Sequence, residues 1–377
     1  MILQVNKMYW PDIGGVETVV KQYAEYLKQF DEVVVLCVNK KFTLKTIVEK
    51  INGIKVHRCA SFGTFMSMPI SVAFFWRLFR LAKIADVIHF HEPFPLGSVG
   101  SLLLKFLSKN KKVYVTWHSD IVKQKKLKRF VEFFQKELCK RANAIIVTSE
   151  RMIEFSSILK NFKDKIVVIP LSLSKREYYR DYNVDNIEPS LLNLPQGFVL
   201  FLGRLSYYKG IDVLLEAIQM IQDDIPFVIA GDGELKEDTM RRVQNTHKKI
   251  YFISRQVSED EKLYLIKNSR FLVFPSILPS EAFGIVQLEA MIYGKPVINT
   301  NLPTGVPWVS LNGVSGLTVE PSNSKQLAEA IKKLYFDEKL YTKLARGALE
   351  RFNRYFDSDV TNEILYDLYA DAINNKV

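Results

Sequence analysis

The chain has 377 residues, 48% hydrophobic and 25% charged, with a net charge of +11. That balance belongs to globular domains with full cores and excludes disordered and fibrous classes, and the length suits two domains. Three cysteines, Cys37, Cys59 and Cys139, with no CxxC spacing, argue against a disulfide framework or a zinc site and point to a reducing compartment, the cytoplasm.

In chain order, "MILQV" is an apolar strand without a basic leader into a long apolar run, so no secretory signal is expected. An amphipathic stretch over Val16–Leu27 follows, then the strands "VVVLCV" and "IKVHR". The most apolar window, residues 66–85, is interrupted by Arg77, Arg80 and Lys83. It falls short of the ~18 unbroken apolar residues of a spanning helix. "DVIHF" leads into a helical pattern over 96–107, "KVYVTW" into one over 127–139, and "AIIVTS" closes the series. Such alternation predicts βαβ units and a parallel sheet covered by helices on both faces.

Near 180–197 the pattern breaks into "YRDYNVDNIEPSLLNLPQG", polar and aperiodic, the signature of a domain boundary. A second series then runs through "FVLFLG", "PFVIAG", "IYFI", "RFLVFPS", "KPVINT" and "GLTVE", with helices expected from 211, 234, 259, 285, 325 and 338. The expected domains are therefore 1–185 and 186–356, with a last amphipathic stretch of about 357–377 packing back on the first. Residues 1–190 hold 31 basic against 18 acidic residues, the remainder 21 against 23. The first half thus suits nucleic acid, anionic lipid or a phosphorylated substrate.

Ligands of such sheets sit at the carboxyl ends of the strands. After the first strand, "MYWPDIGGVE" places Gly14 and Gly15 before a helix, where backbone can approach an anion; a plain capped turn is the alternative. "FLGRLSYYKG" ends a strand at Gly203 and brackets a loop with Arg204 and Lys209, two cations suited to a diphosphate or, equally, to a solvated surface. "VIAGDGE" is a further Gly turn, in which Asp232 can cap the next helix. In "PSEAFGIVQLEAM", Glu281 falls in a loop and Glu289 on the second turn of a helix opened by Phe283, Gly284 and Ile285, whose amides could take an anion while the carboxylates accept sugar hydroxyls. Glu281 as a cap and Glu289 as a solvated residue is the alternative, although Leu288, Ala290 and Met291 flank Glu289. "TWHSD" puts His118 and Asp120 at a strand end, a place for a binder or an acid/base group. His89, His91 and Glu92 in "HFHEPF" are weak metal evidence, and the one DxD triplet, 357–359, is explained by capping. No metal is expected. GxSxG, P-loop and GxGxxG patterns are absent, which removes hydrolase, NTPase and simple dehydrogenase readings.

Taken together, "GGVE", "GRLSYYKG", "AGDGE" and "EAFGIVQLE" followed by "GKPVI" resemble the retaining glycosyltransferases of family 4, with the α/β GT-B fold of two Rossmann-like domains facing each other across a cleft. Glu281 and Glu289 match that family's EX7E motif, and "VTWHSDIVKQK", "YYKG", "SEAFGIV" and "PTGVPWV" resemble the mannosyltransferase branch of bacterial O-antigen and surface polysaccharide assembly. The resemblance implies that Glu289 holds the ribose hydroxyls and that Arg204 and Lys209, beside Gly203, clamp the diphosphate. It further implies that Glu281, with the amides of Phe283, Gly284 and Ile285, positions the donor sugar, that His118 touches that sugar, and that Gly14 and Gly15 approach the donor phosphates or the acceptor. Asp120 is a possible acceptor or sugar contact. No cofactor is implied, because the nucleotide-sugar is a substrate and cations with helix amides replace a metal on the leaving group.

GDP-mannose is the donor implied by the branch, with a UDP-sugar as the alternative, and a lipid-linked oligosaccharide is the acceptor. Residues 51–150 carry 17 basic against 6 acidic residues, including "KQKKLKR" and "FFWRLFRLAK". This face is expected to rest peripherally on the anionic inner face of the plasma membrane, the alternative being that Phe74, Phe75, Leu78 and Phe79 are core. A nucleic-acid binder would leave the Gly-turn loops of both halves unexplained, and a scaffold need not retain both glutamates and the Arg/Lys pair, so no nucleic acid is expected.

Overall fold

The computed structural model describes residues 1–12, 14–65, 68–107, 110–120 and 125–374. They divide into two compact units, Met1–Ile169 with the C-terminal residues from Asn362, and Pro170–Thr361. The division falls earlier than the expected 185. Leu173 belongs to the second unit's core, where Tyr178 and Tyr182 pack against it, so the polar stretch that reads as a linker already belongs to that unit.

In the first unit, β1 (Ile2–Val5), β2 (Val33–Val38), β3 (Ile47–Ile51), β4 (Ile54–Cys59), β7 (Val87–Glu92), β8 (Lys112–Trp117), β9 (Ala144–Val147) and β10 (Ile166–Val168) form one sheet, and β5 (Thr64–Phe65) pairs with β6 (Met68–Pro69) outside it. The order is β10-β9-β8-β7-β1-β2-β4-β3. β1, β2 and β7 are buried along their whole length, as expected of apolar runs covered on both faces. One strand departs from the expected all-parallel sheet: β3 runs antiparallel to β4. Asn52 and Gly53 turn between them at φ of 49° and 85°, the left-handed pair that a two-residue hairpin needs. β3 is an edge strand with the charged, exposed pattern of "IVEKI", which blunts further pairing.

The window around residue 75 is a helix, Ala73–Ile84, that buries Phe74 and Leu78 completely and leaves Trp76 exposed. Phe74 and Leu78 are therefore core, and the exposed side chains of this segment include Trp76, beside Arg77 and Arg80, and Ile84. The helix expected over 96–107 is a short helix, Pro95–Gly100, followed by a 3-10 turn, Ser101–Phe106. Of the basic run 123–129, residues 123 and 124 lie outside the described residues, as do the side chains through Lys128.

In the second unit, β11 (Phe198–Leu202), β12 (Phe227–Ala230), β13 (Ile250–Ile253), β14 (Ser269–Val273), β15 (Val297–Thr300) and β16 (Gly316–Val319) form a wholly parallel sheet in the order β13-β12-β11-β14-β15-β16. That is the doubly wound order, whose direction of winding reverses between β11 and β14. Two apolar clusters, one on each face of the sheet, bury Leu200 and Leu288 on one side and Phe201 and Ile218 on the other. The first unit reverses in the same way between β1 and β7.

Candidate functional site

At the reversal in the second unit, the loops after β11, β12 and β14 are laced together. Leu205 donates its amide to Asp232 O (2.9 Å), and Ile277 donates to Tyr208 O (2.8 Å). Gly231 makes this approach possible: a Cβ there would meet the carbonyl oxygen of Gly203 at 1.9 Å. A pocket of about 700 Å³ opens at these loops, lined by Gly203, Arg204, Gly231, Asp232, Gly233 and Gln256 among others.

The two expected cations behave differently. Arg204 lies on this pocket with 68% of its side chain exposed, 3.5 Å from Glu234. Such a pair contributes little, roughly 0–1 kcal/mol, and leaves the guanidinium available to a ligand. Lys209 is only 15% exposed, and its ammonium is paired in close contact with Glu281, itself 12% exposed. The Phe274 ring flanks the same ammonium at 5.0 Å. Lys209 and Glu281, expected to act on neighbouring parts of one ligand, are thus each other's partners without it.

Phe274 also dictates the next turn. Gly284 has φ of 80°, and a Cβ on it would stand 2.6 Å from the Phe274 ring, so glycine alone fits where the helix Ile285–Met291 begins. Gln287 holds that helix: its Nε2 donates to Phe283 O (2.8 Å), and Asn299 of β15 donates to Gln287 Oε1 (2.9 Å). Phe283 contributes only backbone to the opening, because its ring is buried in the core against Phe356. Glu289 is buried, not solvated. Its Oε1 accepts from Lys262 Nζ (2.8 Å) and Tyr178 OH (3.0 Å), and Oε2 accepts no hydrogen bond among the described residues. Burial works against the Lys262 ammonium, but Glu289 and Glu259 outweigh it and its pKa is raised. Burial and Glu289 together hold the Tyr178 phenol protonated, a donor. No sequence motif points to Lys262 or Tyr178, because their link to Glu289 spans separate elements.

In the first unit, His118 follows β8 and is buried, with Nε2 3.1 Å from His91 Nδ1. Burial pushes its pKa down to about 3, so it is neutral at ordinary pH and too weak a base for proton abstraction; hydrogen bonding to a ligand is the chemistry left to it. Asp120 Oδ1 accepts from Trp117 Nε1 (2.8 Å) and Ser156 Oγ (2.9 Å), which ties the loop to the sheet. At Gly14 a Cβ would meet Glu17 Oε2 at 2.2 Å, so a carboxylate already lies over this helix start, whereas Gly15 faces open space. Arg58 of β4 holds the preceding loop by donating to Tyr9 O (3.0 Å) and to Trp10 O. Glu92 turns away from the histidines and accepts from Phe94 N, Ser98 Oγ and Gln135 Nε2. Among the described residues, no three His, Cys, Asp or Glu side chains are grouped to hold a metal.

Both halves of the chain match known families. The family model of Glycosyltransferase Family 4 matches residues 13–173, and that of Glycosyl transferases group 1 matches residues 184–351. D-rhamnosyltransferase WbpZ of Pseudomonas aeruginosa is 30% identical over 94% of this chain and 92% of its own. The chain is a family 4 glycosyltransferase.

O-antigen chain mannosyltransferase C of Escherichia coli is also similar, 28% identical over 100% of this chain and 99% of that protein. Among solved structures, Anabaena HepE in complex with UDP superposes with a TM-score of 0.75 at 18% identity, over 98% of this chain and 99% of HepE, a likeness of fold. The transferase therefore has the GT-B architecture of two Rossmann-like domains, and its expected donor residues surround the strand reversal of the second.

Proposed function

We propose that this glycosyltransferase moves mannose from GDP-mannose, with retention, to a lipid-linked oligosaccharide during assembly of O-antigen or another surface polysaccharide. The observation that carries this reading is the end-to-end likeness to an O-antigen chain mannosyltransferase. In it, Arg204 and Lys209 take the diphosphate, Glu281 and the amides of Phe283, Gly284 and Ile285 position the sugar, and Glu289 offers Oε2 to the ribose. His118, neutral, touches the donor sugar, while Gly15, which faces open space, and Gly14 approach phosphate or acceptor. Asp120, with its Oδ1 engaged internally, orients this loop.

The bond from the anomeric carbon to the diphosphate breaks, the acceptor hydroxyl attacks from the same face, and its proton leaves with the diphosphate. Two cations and the helix amides offset the departing charge without a metal. Lys209 would exchange Glu281 for the diphosphate and release the carboxylate toward sugar hydroxyls.

The acceptor reading places the protein in the cytoplasm against the anionic inner face of the membrane. No helix among the described residues is long and apolar enough to cross a membrane. Exposed Trp76, with the Arg80 guanidinium 4.2 Å from its ring centre, and exposed Phe130 and Phe133 on the helix Lys125–Arg141 supply an aromatic and basic surface suited to an interface.

Thermal shift and donor hydrolysis with GDP-mannose, UDP-glucose, UDP-N-acetylglucosamine and UDP-galactose, with and without EDTA, test the donor. A response to GDP-mannose that is indifferent to EDTA and lost in Glu289→Ala supports the proposal; a response to a UDP-sugar alone replaces the donor. Absence of binding to anionic liposomes at low salt would remove the membrane contact.

A further inference from the structure

Six buried side chains of the first unit, with His118 at one end, form one hydrogen-bonded line. His118 Nε2 meets His91 Nδ1 (3.1 Å), and His91 Nε2 meets Gln4 Oε1 (2.8 Å). Gln4 Nε2 meets Tyr369 OH (3.5 Å), Tyr369 OH meets His89 Nδ1 (2.5 Å), and His89 Nε2 meets Thr116 Oγ1 (2.7 Å). Gln4 is central in the otherwise apolar β1 and is fully buried. The Tyr23 ring lies 6.0 Å from that of His89, stacked on it, and 6.1 Å from that of His91.

A neutral imidazole has one N–H and one lone pair, while a carboxamide accepts only at oxygen and donates only from nitrogen. The direction of the whole line then follows from Gln4. Facing Gln4 Oε1, His91 Nε2 must carry its proton, which leaves Nδ1 as a lone pair. His118 must therefore donate from Nε2, and its own Nδ1 is bare. On the other side Gln4 Nε2 donates to Tyr369, whose hydroxyl proton goes to His89 Nδ1. The whole line lies out of water, and burial keeps all three imidazoles neutral. His118 Nδ1 has no partner among the described residues.

We infer that Gln4, acting through His91, locks His118 in the Nε2–H tautomer, so that His118 receives a hydroxyl of the donor sugar at Nδ1 as a hydrogen-bond acceptor. Gln4 and His91 are positioning residues, and the inference rests on the proposed contact between His118 and the donor sugar. A side chain that could rotate its proton to Nδ1 would meet the same hydroxyl with the wrong group half the time, whereas the line allows one arrangement.

Long-range 15N–1H correlation spectra of histidine-labelled wild-type protein read the tautomer directly. The expected result is a protonated Nε2 and a bare Nδ1 at His118; a protonated Nδ1 overturns the inference without any variant. Gln4→Met, of similar length and without an acceptor, is expected to give mixed tautomers at His118 and to lower kcat by about tenfold or more with KM for the donor nearly unchanged. Unchanged tautomer or unchanged turnover in Gln4→Met overturns the positioning role. His118→Ala separates the two levels: if it loses no activity, the contact with the donor sugar fails, whatever the tautomer.

Discussion

The two units solve the same geometric problem with opposite chemistry. Each places its functional side chains at the carboxyl ends of strands beside a reversal of winding, between β11 and β14 in one and between β1 and β7 in the other. The second unit fills that place with fixed charges: Lys209 on Glu281, Lys262 on Glu289 and an exposed Arg204. The first backs it with neutral groups in series, three imidazoles, a carboxamide, a phenol and a hydroxyl, all buried. Charges that persist through the reaction suit a diphosphate, whereas desolvated neutral groups suit hydroxyls, whose direction of donation matters more than their charge.

Acid breaks this contrast most strongly. His89 and His118 stand at about 3 in the folded protein and His91 well below its ordinary value, whereas the unfolded chain takes up protons near 6.5. Their contribution is complete above pH 6.5 and is lost as pH falls toward 3. Each histidine adds to that loss in the same direction. Glu92 acts in the other sense: burial raises it from 4.5 to about 7, so the native state holds a proton that the unfolded chain lacks, and stability rises as pH falls through that window. Urea midpoints at pH 6.5, 5.5 and 4.5 should fall, and more steeply in Glu92→Gln. A flat profile in both proteins would show that the histidine line is open to water.

Charge is the next lever. Lys209→Ala strands a buried carboxylate, with an expected loss of about 3–5 kcal/mol of stability and of ~10²–10³-fold in turnover. Pairing it as Lys209→Met with Glu281→Gln should restore most of the stability, read by denaturant midpoint, and none of the transfer. Recovery of activity would separate these residues from the reaction. Gly284→Ala tests backbone instead: the φ of 80° and the Phe274 ring 2.6 Å away predict about 1–3 kcal/mol of destabilisation and weakened donor binding by calorimetry. Arg204→Ala is the smallest in stability, within about 0.5 kcal/mol because the side chain is exposed, yet it should weaken donor binding. Equal losses of stability at Arg204 and Lys209 would erase the distinction between an exposed and a buried cation.

Much of this is legible in the chain itself. Buried β-branched runs alternating with amphipathic segments have few packing solutions, and the parallel sheets with helices beginning at Ile211, Glu259, Ile285 and Glu338 agree with that pattern. Glu289 could be suspected of burial from Leu288, Ala290 and Met291 around it. Less legible was the first boundary, since packing of Tyr178 and Tyr182 outweighs a polar composition that reads as linker. The antiparallel β3 carried its own signal, the Asn52-Gly53 turn, which only the hairpin made conspicuous.

The chain alone sets the local physics: which segments are strands, where glycine must turn the backbone, and which residue types stand at strand ends. Pairing belongs to the tertiary structure. Lys209 could have faced water, Lys262 and Tyr178 are 27 and 111 residues from the glutamate they hold, and Tyr369 reaches a histidine 280 residues away. Partners so distant carry no shared period or spacing. They meet because burying the sheets leaves each desolvated polar group a single place in which its hydrogen bonds can be satisfied.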